Sequence, residues 1–282
     1  MKPIYVQMFA FGKEKLSDAE KIHATAKLGY QGVELLRDPD EAVIEALKET
    51  GLRCESTHGF TMKDGYAVEE ELLHQTGIRY LRSGDQFNFG NREQVLRKAE
   101  ELNAVGKKLK TQGFRFFYHN HTHEFLKDGD DYLLDILMDN TDPEYFCLQL
   151  DCGFAAAVGV DIEGFLKRHA GRVELLHMKS ATLPMTPDTV WFIKPNALGA
   201  SLLPPLGEPM PTEVAVKMES TMKYLIEASG PMVQGLADYG HILPLAEELG
   251  CKLFVVDRDH SYGSGIHQSL REDLETIRSV YS

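Results

Sequence analysis

The stretch from Phe114 to Phe125 reads FRFFYHNHTHEF. An apolar, aromatic run stops at three histidines on alternate positions, His119, His121 and His123, and Glu124 follows. Side chains alternate along a β-strand, so the three imidazoles are expected to share one face. Burying them without partners is costly, which points to a metal ion or a polar substrate. The rest of the chain can be read as supplying what this stretch lacks.

The elements around it alternate. Strands are expected at Ile4–Phe9, Gln31–Leu36, Leu52–Thr57, Ile78–Arg82, within the opening stretch, and at Glu144–Leu150, Arg172–Met178 and Lys252–Val256. Helix signals fall between them. Ser17-Asp-Ala-Glu20 is a capping box with Gly29 as its stop, and Asp38-Pro39 opens a helix that Gly51 ends. A short acidic helix is expected near Val68–Thr76, a long one from about Arg92 to Gln112, and others around Tyr132–Met138, Asp161–His169, Asp238–Leu249 and Ile266–Val280. Strands separated by helical crossovers run parallel, and this α/β alternation closes naturally into a (β/α)8 TIM barrel. The rival is an open doubly wound sheet, but no GxGxxG turn follows the first strand. The 282 residues read as one barrel domain.

The alternation breaks between Leu183 and Pro211, where seven of the twelve prolines lie with the only tryptophan, Trp191. Proline excludes regular helix or strand interior there. An insert of about 184–230, ending in a helix over Thr212–Ala228, follows the seventh strand and should emerge on the catalytic face. A lid and an intersubunit arm fit it equally, the second implying a homo-oligomer. Trp191 and Phe192 would pack on substrate or on a neighbouring chain.

In such a barrel, reacting groups sit where strands run into the following loops. The ionisable residues at those ends are His58, Asp85, His119, His121, Glu124, Asp151, His177 and Asp257. Mixed imidazole and carboxylate ligands suit Mn, Co or Zn better than Mg. Each residue also has a plain structural reading. Asp151 could cap the next loop, Asp257 could pair with Arg258 or Arg271, and Glu34 could form a buried ion pair beside Arg37.

The formal net charge of −13 repels phosphate backbones and argues against nucleic acid as a partner. No run reaches membrane-spanning length, and the amino-terminal stretch lacks a signal-peptide pattern. Cys54, Cys147, Cys152 and Cys251 form no CxxC pair and read as reduced thiols of a cytoplasmic protein.

Three stretches, YHNHTHEF at 118–125, LQLDCGFAAAVGVDIEGFLKRHAGRVELLHMKS at 148–180 and LFVVDRDHS at 253–261, resemble the sugar phosphate isomerase/epimerase family of xylose isomerase-like TIM barrels. GVELL at 32–36 and QGLADYGHIL at 234–243 fit the same pattern. The resemblance implies a divalent metal held by strands five to eight, with His119, Asp151, His177 and Asp257 at the ligand positions. Relatives place glutamate where Asp257 stands, one methylene longer, and many place glutamate at His119. The usual HxKD ends here in Ser180. Which of His119, His121 and Glu124 faces the metal stays open.

The implied chemistry is proton abstraction beside a metal-polarised carbonyl of a small carbohydrate. Isomerisation or epimerisation of a sugar or sugar phosphate is expected, or dehydration of a keto-inositol. His121 or Glu124 would carry the proton. Lys179 would neutralise an enolate or hold a phosphate, and His58 and Asp85 would bind sugar hydroxyls. A non-catalytic carbohydrate-binding barrel is the alternative kept open by Asp257 and Ser180. A nuclease on this barrel needs a larger metal cluster.

Overall fold

The computed structural model describes residues 2–59, 70–82, 91–185 and 212–281. Its strands are β1 (Ile4–Gln7), β2 (Gly32–Leu35), β3 (Arg53–Thr57), β4 (Tyr80–Leu81), β5 (Arg115–His119), β6 (Phe146–Asp151), β7 (Val173–Lys179) and β8 (Leu253–Asp257). They form a closed parallel ring in which each strand pairs with its neighbour in sequence and β8 returns to β1, Ile4 opposite Phe254. This is the expected (β/α)8 barrel.

The strands read as continuous apolar runs because both faces are buried. Outward residues such as Ile4, Val6, Phe116, Leu148, Leu176 and Phe254 join the helices in one core. Inward residues Tyr5, Tyr80, Phe117, Cys147, Leu175, Leu253 and Val255 make a separate plug inside the ring. Two residues further along the same inner face, the side chains become Gln7, His119, Gln149, His177 and Asp257. One more step adds Asp151 and Lys179. The period of two thus stacks an apolar floor, a polar middle and a charged mouth. Tyr5 can lie across β2 only because residue 32 is glycine: a Cβ there would fall 2.2 Å from the Tyr5 ring.

Helices α1 (Asp18–Leu28), α2 (Glu41–Thr50), α3 (Glu70–Thr76), α4 (Arg92–Thr111), α5 (Leu133–Asp139), α6 (Cys152–Ala157), α7 (Ile162–Arg168), α8 (Thr212–Glu227), α9 (Tyr239–Glu248) and α10 (Ile266–Val280) surround the ring. Ser17 and Glu20 form the expected capping box, and Gly29 ends α1 with φ 91°. On α10, Ile266, Leu270, Leu274 and Ile277 make the buried stripe. No helix among the described residues is long and apolar enough to cross a membrane.

Two local differences from the sequence reading bear on the site. The fifth strand stops at His119, so His121 lies in irregular backbone, Thr122 bends and His123 opens a 3-10 turn, His123–Phe125. The three histidines therefore do not share a strand face. Asn120 causes the departure: its Nδ2 donates to the His121 carbonyl at 2.9 Å, and its Oδ1 accepts the Asp151 N–H at 2.9 Å. The short helix α6 also begins directly after Asp151, with no loop between. Asp85, Trp191 and residues 186–211 of the insert lie outside the described residues.

Candidate active site

The mouth is built around His177 of β7. Its Nε2 lies 2.7 Å from Glu34 Oε1, and its Nδ1 lies 3.5 Å from Asp257 Oδ2. His58, the residue after β3, stacks flat on it with ring centroids 5.0 Å apart, and His119 closes from the side at 4.5 Å. His58, His119 and His177 offer ligand atoms within 4.8 Å of one another, and so do Asp151, His177 and Asp257. His177 belongs to both triads.

Glu34 underlies the cluster. Fully buried, its carboxylate accepts from Ser56 Oγ at 2.7 Å, Gln149 Nε2 at 2.7 Å and Gln7 Nε2 at 3.3 Å, besides the two histidines. Burial alone would favour its neutral form, but His58 and His177 hold it well below the carboxylate range. The strand register shifts at Val33/Glu34 and at Leu148/Gln149, just where these two side chains turn into the ring. Arg37, the expected partner of Glu34, instead meets Asp18 at 3.0 Å on the surface.

Burial lowers the proton affinity of His177, but the Glu34 and Asp257 carboxylates outweigh it and push its pKa up to about 9. His58 is pushed below its usual value by burial, and His119 well below. Asp151 is pushed up to about 6, first by burial and then by Asp257, against the pull of Lys179. Its Oδ1 caps α6 by accepting the Phe154 N–H at 2.8 Å, so the capping role read from the sequence coexists with a place at the mouth.

Lys179 reaches the same carboxylates. Its Nζ lies 2.8 Å from Asp257 Oδ2, 2.9 Å from Asp259 Oδ2 and 3.6 Å from Asp151 Oδ2. Burial opposes the charge, yet the aspartates keep the ammonium well above its ordinary range and Lys179 with His177 hold Asp257 well below. Arg258 does not pair with Asp257; it is buried against Asp273.

The residues present fit a metal ion. His119 Nδ1, Asp151 Oδ2, His177 Nδ1 and Asp257 Oδ1 are buried and have no hydrogen-bond partner among the described residues. They come from four successive strands, two nitrogens and two carboxylate oxygens. Buried polar atoms are almost always satisfied. Asp151, His177 and Asp257 bring ligand atoms within 4.8 Å of one another, and His119 does so with His177 and His58, so the groups that offer ligands for a cation share His177.

The remaining expected residues fall nearby or aside. His121 packs against His119 at 5.1 Å and Phe154 at 5.6 Å, and burial lowers its pKa despite Glu124. Glu124 is turned into its own loop: Tyr118 Oη donates to it at 2.6 Å, the His121 N–H at 2.9 Å, and His123 Nδ1 lies at 3.2 Å. His58 lies within the histidine cluster, held by Gln149 Oε1 at 2.6 Å. Gln7, Asn120, Gln149 and Asp259 were not singled out by sequence reasoning. The period-two spacing Gln7–Phe9 and Cys147–Gln149–Asp151 was the signal available for the two glutamines.

No family model matches the chain. Inosose dehydratase of Clostridium perfringens is 33% identical over 89 residues, 32% of this chain and 29% of that protein's length. The chain thus aligns with under a third of the length of this curated relative. A sugar phosphate isomerase/epimerase from Parabacteroides distasonis superposes with a TM-score of 0.67 at 16% identity, covering 100% of this chain and 96% of its own. The 3-keto-D-glucoside 4-epimerase of E. coli does so with a TM-score of 0.59 at 13% identity, over 99% and 100%. The fold is that of the xylose isomerase-like TIM barrels.

Proposed function

We propose that the chain is a divalent-metal-dependent enzyme that moves a proton on the carbon beside the carbonyl of a sugar, sugar phosphate or keto-polyol, isomerising or epimerising it. The observation that carries this reading is the buried triad Asp151, His177 and Asp257, its ligand atoms within 4.8 Å of one another, with His119 against His177. Two imidazoles in the set favour Mn, Co or Zn over Mg. A divalent ion held there would supply Lewis acidity at a carbonyl and its neighbouring hydroxyl, acidifying the C–H between them.

The chain's own residues do the rest. His121, whose proton affinity burial lowers and which is set beside His119, takes the proton and returns it to the neighbouring carbon in an isomerisation; an epimerisation requires a second donor on the opposite face. Lys179 meets the negative charge that develops on the substrate oxygen. Glu34 fixes the ring of His177 through Nε2 and so aims Nδ1 at the mouth. Phe154 lies against both His121 and Lys179 and keeps water from that side.

The test is solvent deuterium uptake into a panel of ketoses and ketose phosphates with Mn2+ or Co2+ present. Uptake is expected, and Asp151→Asn should reduce it by about 100-fold or more. No uptake with any ketose and either metal would end the proposal. A second reading, dehydration of a keto-inositol, is favoured by the match to inosose dehydratase. It shares the first proton transfer and differs in the loss of a β-hydroxyl, so its product is one water lighter by mass.

A further inference from the structure

The position assigned to a metal already holds a positive charge. Lys179 Nζ lies between Asp257 Oδ2 at 2.8 Å and Asp151 Oδ2 at 3.6 Å, with its side chain only 7% exposed. Both carboxylates belong to the ligand set proposed above. A third, Asp259, holds the ammonium at 2.9 Å from the loop after β8, where it is 18% exposed against 5% for Asp257. The ring of Phe154 covers the ammonium, its centroid 4.0 Å from Nζ. Such a desolvated ammonium among three carboxylates neutralises charge that would otherwise force them apart.

An ammonium and a divalent ion cannot both take the space between Asp151 and Asp257. Like charges a few ångströms apart in a buried site repel strongly, and Asp151 Oδ2, which lies 3.6 Å from Nζ, is one of the proposed ligand atoms. We infer that Lys179 is a resident counter-ion which a divalent metal must displace. Loading the site is then an exchange of ammonium for metal, with Lys179 retreating onto Asp259. This inference rests on the metal-dependent reading of the site.

The backbone limits how the exchange can happen. The Lys179 carbonyl accepts from Tyr239 Oη at 2.8 Å. Residue 153 of α6 approaches so closely that a Cβ would fall 2.6 Å from the Lys179 carbonyl oxygen. The strand end is therefore clamped, and only the four-carbon stem can move. Its outward swing toward Asp259 carries the ammonium to the side of the mouth from which a substrate oxygen arrives. The loaded state thus presents the lysine that the empty state keeps engaged, and the empty site stays folded around its own cation.

The test is equilibrium dialysis of chelator-treated protein against Mn2+ and Co2+, for the unmodified chain, Lys179→Met and Lys179→Arg. Lys179→Met is expected to bind on the order of ten- to a hundredfold tighter, and Lys179→Arg no tighter than the unmodified chain. A second measurement needs no variant. The unmodified chain is acetylated with acetic anhydride and the peptide carrying Lys179 is followed by mass spectrometry. Labelling is expected to be slow without metal and several-fold faster at saturating metal. If the unmodified chain binds metal, Lys179→Met binds no tighter and labelling does not change, the exchange is wrong while the metal-dependent reading stands. If neither the chain nor its variants bind either metal, both fall.

Discussion

At the scale of single residues, the site works by setting buried charges against one another. Glu34 is the clearest case, because nothing near it in sequence announces its role: His177 lies 143 positions away. Its nearest basic neighbour in the chain, Arg37, leaves the strand end for the surface, while Glu34 turns into the ring. Glu124 shows the same balance in a loop. Burial would push this acid up, but His123, the His121 side chain and Tyr118 hold it down to about 2, against an ordinary 4.5. A folded value below the unfolded one contributes stability that is full above about pH 4.5 and is lost as pH falls toward 2. Glu124→Gln should therefore weaken the fold at neutral pH and flatten the loss of stability across that window. Urea unfolding at stepped pH reads both effects, and an unchanged acid limb would show that the loop does not depend on this charge.

Between residues and fold, the strands were legible and their immediate sequels were not. A strand buried on both faces is a short apolar run bounded by glycine and polar residues, and most announced themselves that way; β3, RCEST, is polar and partly exposed. The ends were legible for the same reason, since the chemistry starts where the apolar run stops. Loop shape was not legible, because one side chain decides it: Asn120 bonds to two backbones, and Glu124 takes the His121 N–H. The meeting of Asp151 with α6 depends on a single glycine. Gly153→Ala would drive a methyl against the Lys179 backbone, so a loss of about 1–3 kcal/mol is expected by thermal or urea unfolding. A variant as stable as the parent would mean that α6 can slide from β7 without cost. The same slide should weaken metal binding, because Asp151 is the cap of that helix.

For the whole molecule, the two ends of the parallel ring differ in charge. Lys2, Arg53, Arg79, Lys110, Arg115 and Lys252 line a cavity of about 760 Å3 at the end where strands begin, with Glu55 and Glu144 among them. Asp151, Asp257 and Asp259 gather at the end where they finish, in a chain of net charge −13. The ring itself is closed by the pairing of β1 with β8, Ile4 opposite Phe254 and Val6 opposite Val256. That seam has a cost in time. Strand β1 has one free edge until its partner β8, some 250 residues later, has been made. At about 5–20 residues per second this is roughly 12–50 s of synthesis. A chain stopped after residue 250 would keep that edge for good, and it is expected to sediment as aggregate where the full chain stays dispersed. Until β8 is made, then, β1 goes without the one partner that closes its edge.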